Sequence, residues 1–144
     1  MAHEHHKLPT PTNDNDYFAR MSWIIFMSGL NAAVMDKKWP GIKRAFHDFD
    51  IDQVAQMEQP DIDELMTNPD IIHNQAKIQA IITNARHLQS ILAEHGSVKK
   101  YLDTLNHNGQ ADAIKELSKH FAFIGPGTGH MFLASLGYKS DVSA

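Results

Sequence analysis

The chain has 144 residues, of which 42% are hydrophobic and 21% charged, so we expect one globular domain with a sizeable core. It has no cysteine and a net charge of −4 with the histidines neutral. The missing cysteines exclude disulfide scaffolds and thiolate zinc sites, and the negative balance argues against binding nucleic acid through overall charge. A local patch that docks on DNA is compatible with both.

Membrane association is not expected. The longest apolar run, at residues 22–35, is shorter than a helix that spans a bilayer. The polar N-terminal segment contains no apolar signal region. We therefore expect a cytoplasmic protein without membrane contact.

Residues 1–13 are predicted to form a flexible arm ahead of a single helical domain at residues 14–144. The arm holds three histidines and two prolines and no periodic pattern. Because imidazole is a common metal ligand, His3, His5 and His6 are candidate ligands. Histidines in such an arm are more often solvated, and we expect neither a metal nor a cofactor.

Four helices are predicted in the first half of the chain. Between residues 14 and 36 apolar residues recur at three- and four-residue steps and cover most of the circumference, which predicts one central helix. Pro40 is expected in the first turn of a second helix that runs to about residue 47. Asp50 and Pro60 are expected to start a third and a fourth helix.

Four further helices are predicted in the second half. The clearest one covers residues 70–94 and ends before Gly96. Ser97 is expected to cap the next helix, residues 106–110 to form a loop, and the last two helices to cover residues 111–119 and 128–136. No segment alternates apolar and polar residues over the length of a strand, so we predict an all-α helical bundle.

A glycine-rich turn separates the last two predicted helices and gives them the layout of a helix-hairpin-helix element. Glycine lets the backbone approach a ligand closely and accepts a positive φ. The helix that follows begins with unpaired N–H groups and a partial positive charge, which together suit a DNA phosphate. The residues expected to bind DNA here are Lys119, Gly125, Pro126, Gly127, Thr128 and Gly129. The alternative is a tight helix pair whose glycines only permit close packing.

Three more segments carry a recognisable pattern alongside the hairpin. With the hairpin they read SGLNAAVMDKKWP at residues 28–40, AFHDFDIDQVAQM at 45–57, DIDELMTNPDIIHNQAKIQAIITNAR at 61–86 and LSKHFAFIGPGTGHMFLASLG at 117–137. In this order they resemble the DNA-3-methyladenine glycosylase I family over roughly residues 17–137. The resemblance implies a helix-hairpin-helix glycosylase that binds double-stranded DNA, flips a damaged base into a pocket and breaks its bond to the sugar.

The chain departs from that family at residues that the resemblance links to chemistry. The family's Glu in the first core helix aligns with Ile24, its tryptophan with Ala32 and the preceding serine with Asn31. Most of the family's N-terminal arm, which carries an aromatic pocket residue, is absent. The family's zinc site uses cysteines and histidines, so a chain without cysteine is expected to lack that zinc.

Trp23, Asn31 and Trp39 are the candidate base-pocket residues. An amide inside an apolar helix costs free energy unless it is hydrogen-bonded, and a flipped base could supply the partner. The alternatives are core packing for the tryptophans and a bond to a neighbouring helix for Asn31. Lys77 is a further candidate DNA contact, and a solvated helix face is its alternative.

The leading hypothesis is a base-excision repair glycosylase that hydrolyses the N-glycosidic bond of alkylated bases such as 3-methyladenine. An alkylated adenine is positively charged and already a good leaving group, and no residue is identified as a general base. Two alternatives stay open: a catalytically inactive DNA-binding module, and a scaffold protein of the same fold.

Overall fold

The computed structural model describes residues 9–28 and 30–138. This part of the chain folds into eight α-helices and contains no strand, which confirms the all-α class. In chain order the helices are α1 (Asp14–Met27), α2 (Ala32–Ala45), α3 (Ile51–Ala55), α4 (Gln59–Leu65), α5 (Gln75–His95), α6 (Val98–Leu105), α7 (Gln110–His120) and α8 (Pro126–Ser135). Among the described helices, none is both long and apolar enough to cross a membrane.

The predicted first helix is two helices in the structure. α1 ends at Met27, and α2 begins at Ala32 with Asn31 as its N-cap. The Asn31 Oδ1 accepts a hydrogen bond from the Val34 N–H at 2.9 Å. In a continuous helix a backbone carbonyl would accept this N–H, whereas here the Asn31 side chain accepts it. α1 and α2 are therefore separate helices, although the apolar periodicity continues across the break.

Pro40 lies inside α2 and does not start a helix. Proline removes one hydrogen bond from a helix interior and its ring crowds the preceding turn. α2 nevertheless continues to Ala45, with Met35, Gly41 and Ile42 buried on its inner side. The expectation of a second helix that begins at Pro40 was wrong because packing of this apolar side outweighs one missing bond.

The later helices follow the predicted order with shifted ends. Asp50 caps α3 and Pro60 stands in the first turn of α4, as predicted. α5 begins at Gln75, later than the pattern indicated, because Asn74 caps it by accepting from the Lys77 N–H at 3.1 Å. Gly96, with φ +88°, ends α5. The loop predicted at residues 106–110 is a 3-10 turn followed by the start of α7.

α1 is the centre of the core. It packs against α2, α3, α5, α6 and α8. An aromatic group lies beside it: the ring of Phe49 stacks on Trp39 at 5.2 Å and on Phe46 at 5.5 Å, and meets Phe18 edge-on at 5.4 Å. Such pairs add roughly 0.5–1.5 kcal/mol each to the burial of their surface.

A buried guanidinium joins the two ends of the described chain. The Arg20 Nη1 donates to the Ser135 carbonyl oxygen at 2.7 Å, and Nη2 donates to the Pro9 carbonyl oxygen. Burial lowers the pKa of Arg20, and the nearby Asp16 opposes this shift. The bonds hold α8 and residue 9 against α1. The predicted arm at residues 1–13 is described only from residue 9 onward, and its three histidines lie outside the described residues.

Candidate DNA-binding site

The turn between α7 and α8 has the geometry of an anion site. Gly125 is the N-cap of α8 in an extended conformation, and no side chain caps the helix. Pro126 has no N–H, so the first available donors are the N–H groups of Gly127 and Thr128. No hydrogen bond to either is present among the described residues. Two free donors and the positive end of a helix dipole therefore face outward.

The glycines of this turn have two different roles. A Cβ built on Gly125 or Gly127 would meet no atom within 4 Å, so both backbones are open to an approaching ligand. A Cβ on Gly129 would lie 3.2 Å from the Ile114 Cγ2, which means that Gly129 allows α8 to pack closely on α7. Gly129 is buried and was wrongly expected among the DNA-binding residues.

The left-handed backbone in this turn belongs to Phe123 and not to a glycine. Phe123 has φ +62° and its side chain is 49% exposed. A bulky residue in this region of φ is strained, and such strain persists only where the surroundings impose it. The turn therefore takes its positive φ at a residue that is not glycine.

Asn84 of α5 fixes the hairpin turn in place. Its Oδ1 accepts from the Ala122 N–H at 2.8 Å, and its Nδ2 donates to the Ala122 carbonyl oxygen at 3.1 Å. The Asn84 side chain is fully buried. One amide thus satisfies both backbone groups of a turn residue, and this is the constraint that holds the strained turn.

Lys77 has a structural position, which corrects the expectation that it contacts DNA. Its Nζ donates to the Ser28 carbonyl oxygen at 2.6 Å and to the Phe26 carbonyl oxygen at 3.4 Å. Burial lowers the pKa of Lys77. A cation at a helix C-terminus satisfies carbonyls that have no partner in the helix and interacts favourably with the dipole. Lys77 therefore ends α1 and is not available to a phosphate.

Lys77 and Asn84 together place two turns on one side of the molecule. They are seven residues apart on α5, so they lie on the same helix face, about 10 Å apart along the axis. Lys77 holds the chain at Ser28, between α1 and α2, and Asn84 holds the hairpin turn. Each turn exposes an apolar side chain, Leu30 at 36% and Phe123 at 49%.

Lys119 lies at the end of α7 beside this turn, as predicted, and His120 follows it. Both are exposed, and each is paired with Glu116, at 3.6 Å from the Lys119 Nζ and 3.4 Å from the His120 Nε2. The His120 ring stacks on His87 at 5.4 Å. Burial lowers the pKa of His87, and the adjacent His120 lowers it further.

The three candidate pocket residues have three separate environments. Trp23 is packed in the core at 6% exposure, beside Ile24 at 2%. Asn31 is an exposed N-cap and not an amide inside a helix, so the reason given for its pocket role was wrong. Trp39 stacks on Phe49 and lines an open cleft with six other residues, which are Pro9, Thr10, Asp16, Ala19, Arg20 and Lys43.

The described residues do not fit the family's zinc. The chain has no cysteine, and no group of three or more histidines, aspartates and glutamates within residues 9–28 and 30–138 is arranged to hold a metal ion.

Sequence reasoning missed Asn84 and Arg20. Asn84 contacts Ala122, 38 positions away, and Arg20 contacts Ser135, 115 positions away. Helical periodicity reports which face is apolar and not which distant backbone a polar side chain meets. A polar residue at a core position of a clear helical pattern was the available signal.

The architecture defines a class, an all-α protein whose last two helices form a hairpin open to an anion. The methyladenine glycosylase family model matches residues 3–143. The DNA-3-methyladenine glycosylase of Haemophilus influenzae is 30% identical over 136 residues, covering 79% of this chain and 72% of that protein. The chain belongs to the methyladenine glycosylase family.

Other relatives agree with this assignment. DNA-3-methyladenine glycosylase 1 of Escherichia coli is 34% identical over 93 residues, which cover 64% of this chain and 50% of that enzyme. The chain is similar to the crystal structure of a Glu-to-Gln variant of 3-methyladenine DNA glycosylase I from Staphylococcus aureus, with 29% identity and a TM-score of 0.80 over 91% of this chain and 80% of that one. A Tyr-to-Phe variant of such an enzyme in complex with 3-methyladenine gives a TM-score of 0.79 at 29% identity, with the same coverage.

Proposed function

We propose that this protein is a DNA glycosylase of base-excision repair that hydrolyses the N-glycosidic bond of alkylated bases such as 3-methyladenine in double-stranded DNA. Its family membership supports the reaction class. The observation that carries DNA binding is the open start of α8, where the N–H groups of Gly127 and Thr128 have no partner among the described residues.

The two turns held by α5 would face the duplex together. The hairpin donates two N–H groups to one phosphate, and Lys119 adds positive charge beside it. Flipping a base leaves a gap in the stack, which exposed apolar side chains can fill. Leu30 and Phe123, the exposed apolar residues of these two turns, are the candidates to contact that gap.

The chemistry rests on the base and not on a carboxylate at position 24. In hydrolysis, the electron pair of the C1′–N bond returns to the cationic base and neutralises it, while water adds to C1′ and releases a proton. Ile24 occupies the position where the resemblance implies a Glu, and it is 2% exposed. A side chain buried in this way neither binds the base nor activates water.

A catalytically inactive DNA-binding module is the second candidate. The close packing of Trp23 and Ile24 favours it, because both side chains fill the core where the resemblance implies pocket chemistry. Fold and family do not decide between binding and turnover, since activity depends on the site.

Release of free 3-methyladenine from methylated duplex DNA tests the proposal, with DNA affinity measured in parallel. Gly127→Asp adds a carboxylate beside the phosphate and should reduce DNA affinity roughly tenfold, the value of about one charge-assisted hydrogen bond. Gly127→Ala should preserve the fold, because its Cβ meets no atom within 4 Å. Ala111→Asp, at the start of α7, is the control with the same added charge.

The outcomes separate the candidates. Base release by the wild type and by Ala111→Asp, together with reduced release by Gly127→Asp at limiting DNA, supports a glycosylase. DNA binding without base release supports the inactive module. If neither binding nor release is detected, the protein is not a DNA glycosylase and the scaffold alternative stands.

A further inference from the structure

α2 carries a concentration of positive charge that the hairpin does not explain. Four of the chain's 13 lysines and arginines lie within residues 37–44, in a protein with a net charge of −4. They are Lys37, Lys38, Lys43 and Arg44. None of the four forms an ion pair with a carboxylate among the described residues.

Three of these cations line one shallow cleft. Lys37, Lys38 and Arg44 border it together with Pro69 and Asp70. Lys37, Gly41 and Arg44 follow the four- and three-residue steps that place side chains on one helix face. We call this surface, formed by Lys37, Lys38 and Arg44, the α2 stripe.

The position of the α2 stripe is fixed by close packing. A Cβ on Gly41 would lie 2.7 Å from the Asp70 Cβ, so only glycine lets α2 approach the loop before α5 this closely. The Asp70 carboxylate borders the cleft but lies beyond ion-pair distance of all three cations in the described chain. The stripe therefore keeps its charge for an external anion.

The α2 stripe starts on the side of the molecule that carries the hairpin. α2 begins directly after the turn that Lys77 holds, on the α5 face that also holds the hairpin turn. Lys37 is five residues into α2 from Ala32, about 7 Å along the helix axis. A duplex on the hairpin would pass the stripe with a neighbouring stretch of its backbone.

We propose that the α2 stripe is a second phosphate-binding surface, which binds the backbone of the same duplex at a distance from the hairpin contact. This rests on the proposed function, because it takes DNA as the ligand. The surface recognises phosphate charge and not bases, so it adds affinity and orientation for any sequence.

The test is the salt dependence of binding to an unmodified duplex. The slope of log K against log salt is negative, and Lys37→Gln/Lys38→Gln/Arg44→Gln should make it less steep. The expected change is about 0.9 for each phosphate that the variant no longer neutralises, or about 2–3 in total. The control Lys99→Gln/Lys100→Gln/Lys115→Gln removes the same charge from α6 and α7. Circular dichroism checks that both variants are folded.

Equal slopes for the two triple variants would overturn the proposal for the α2 stripe, because the effect would then come from net charge alone. If Gly127→Asp weakens binding as expected while the stripe variant keeps the wild-type slope, the proposal for the α2 stripe is wrong and the hairpin function stands. A wild type that does not bind the duplex would refute both proposals. Base release measured on the same proteins separates a loss of affinity from a loss of catalysis.

Discussion

Single side chains in this protein carry roles that their residue type does not reveal. Lys77 and Arg20 are cations that donate to backbone carbonyls inside the molecule. Asn31 caps a helix, while Asn84 holds a turn from a fully buried position. Each side chain does what its local geometry allows, and only the folded structure provides that geometry.

Position 24 tests whether the core accepts a carboxylate. Ile24→Glu restores the residue that the resemblance implies, but it places a carboxylate in the core. We expect the free energy of unfolding to fall by about 3–5 kcal/mol, the cost of an uncompensated buried charge, with no gain in base release. Urea denaturation and release of 3-methyladenine measure the two effects.

The conservative control is Ile24→Leu, which keeps volume and should cost less than about 1.5 kcal/mol. Greater base release by Ile24→Glu at nearly unchanged stability would show that position 24 opens to a bound base. The chain would then lack a catalytic group and retain its pocket.

The helix features that depend on short-range rules were predicted correctly from the sequence. The caps at Asp50 and Ser97, the stop at Gly96 and the open hairpin at residues 125–128 all follow from residue types and local backbone chemistry. The break between α1 and α2 was missed because Asn31 competes with a periodic pattern that alone favours one long helix. Pro40 was misplaced because burial of the α2 face outweighs a local preference.

The candidate site was likewise predictable only where its residues are adjacent in the chain. The residues of the hairpin are adjacent in the chain, and their pattern identified them. The hydrogen bonds of Asn84 to Ala122 join residues 38 positions apart in the chain. The α2 stripe depends on the packing of Gly41 against Asp70, which lies in the loop before α5. The argument for Asn31 rested on one continuous helix, which the structure breaks at this residue, while the pocket hypothesis at Trp23, Asn31 and Trp39 stays a prediction.

The stacked histidines predict a pH dependence that links α5 to α7. Burial lowers the pKa of His87 from its ordinary value of 6.5, and the facing His120, itself paired with Glu116, contributes. Between the lowered value and 6.5 the unfolded chain binds more protons than the folded one. The contribution of neutral His87 to the free energy of unfolding is therefore complete above pH 6.5. It is lost as pH falls through the pKa of His87 in the folded state.

His87→Gln should flatten this dependence. We expect the free energy of unfolding of the wild type to fall faster than that of the variant as pH is lowered from about 8 to about 5. Urea denaturation at each pH gives the difference curve, which removes the other histidines from the comparison. Parallel curves would mean that His87 titrates alike in the folded and unfolded states.

For the molecule as a whole, the Arg20 guanidinium acts as a clasp between the first and last described segments. Arg20→Met keeps most of the buried stem and removes the bonds to Ser135 and Pro9. We expect a loss of about 2–3 kcal/mol, because the hydrogen bonds to a charged group are broken. Thermal unfolding with the exposed Lys115→Met as control measures it.

The hairpin makes the Arg20 result informative about function. α8 provides both the phosphate donors at its start and Ser135 at its end. Weaker DNA binding by Arg20→Met at temperatures where the protein stays folded would show that the clasp orients the hairpin. Unchanged affinity in the folded variant would limit Arg20 to stability.

Cations and N–H donors are concentrated on part of a protein whose net charge is −4. Three cations of α2 line one cleft, and the start of α8 presents two N–H donors. Such an arrangement steers a polyanion toward one side of a protein that overall repels it.

The central position of α1 has a consequence for synthesis of the protein. α1 is synthesised before α8, which covers part of it. That part of its apolar surface therefore has no native cover until α8 has been made. α2, α3, α5 and α6 can cover other parts of α1 earlier, so its native packing is completed only with the last of the described helices.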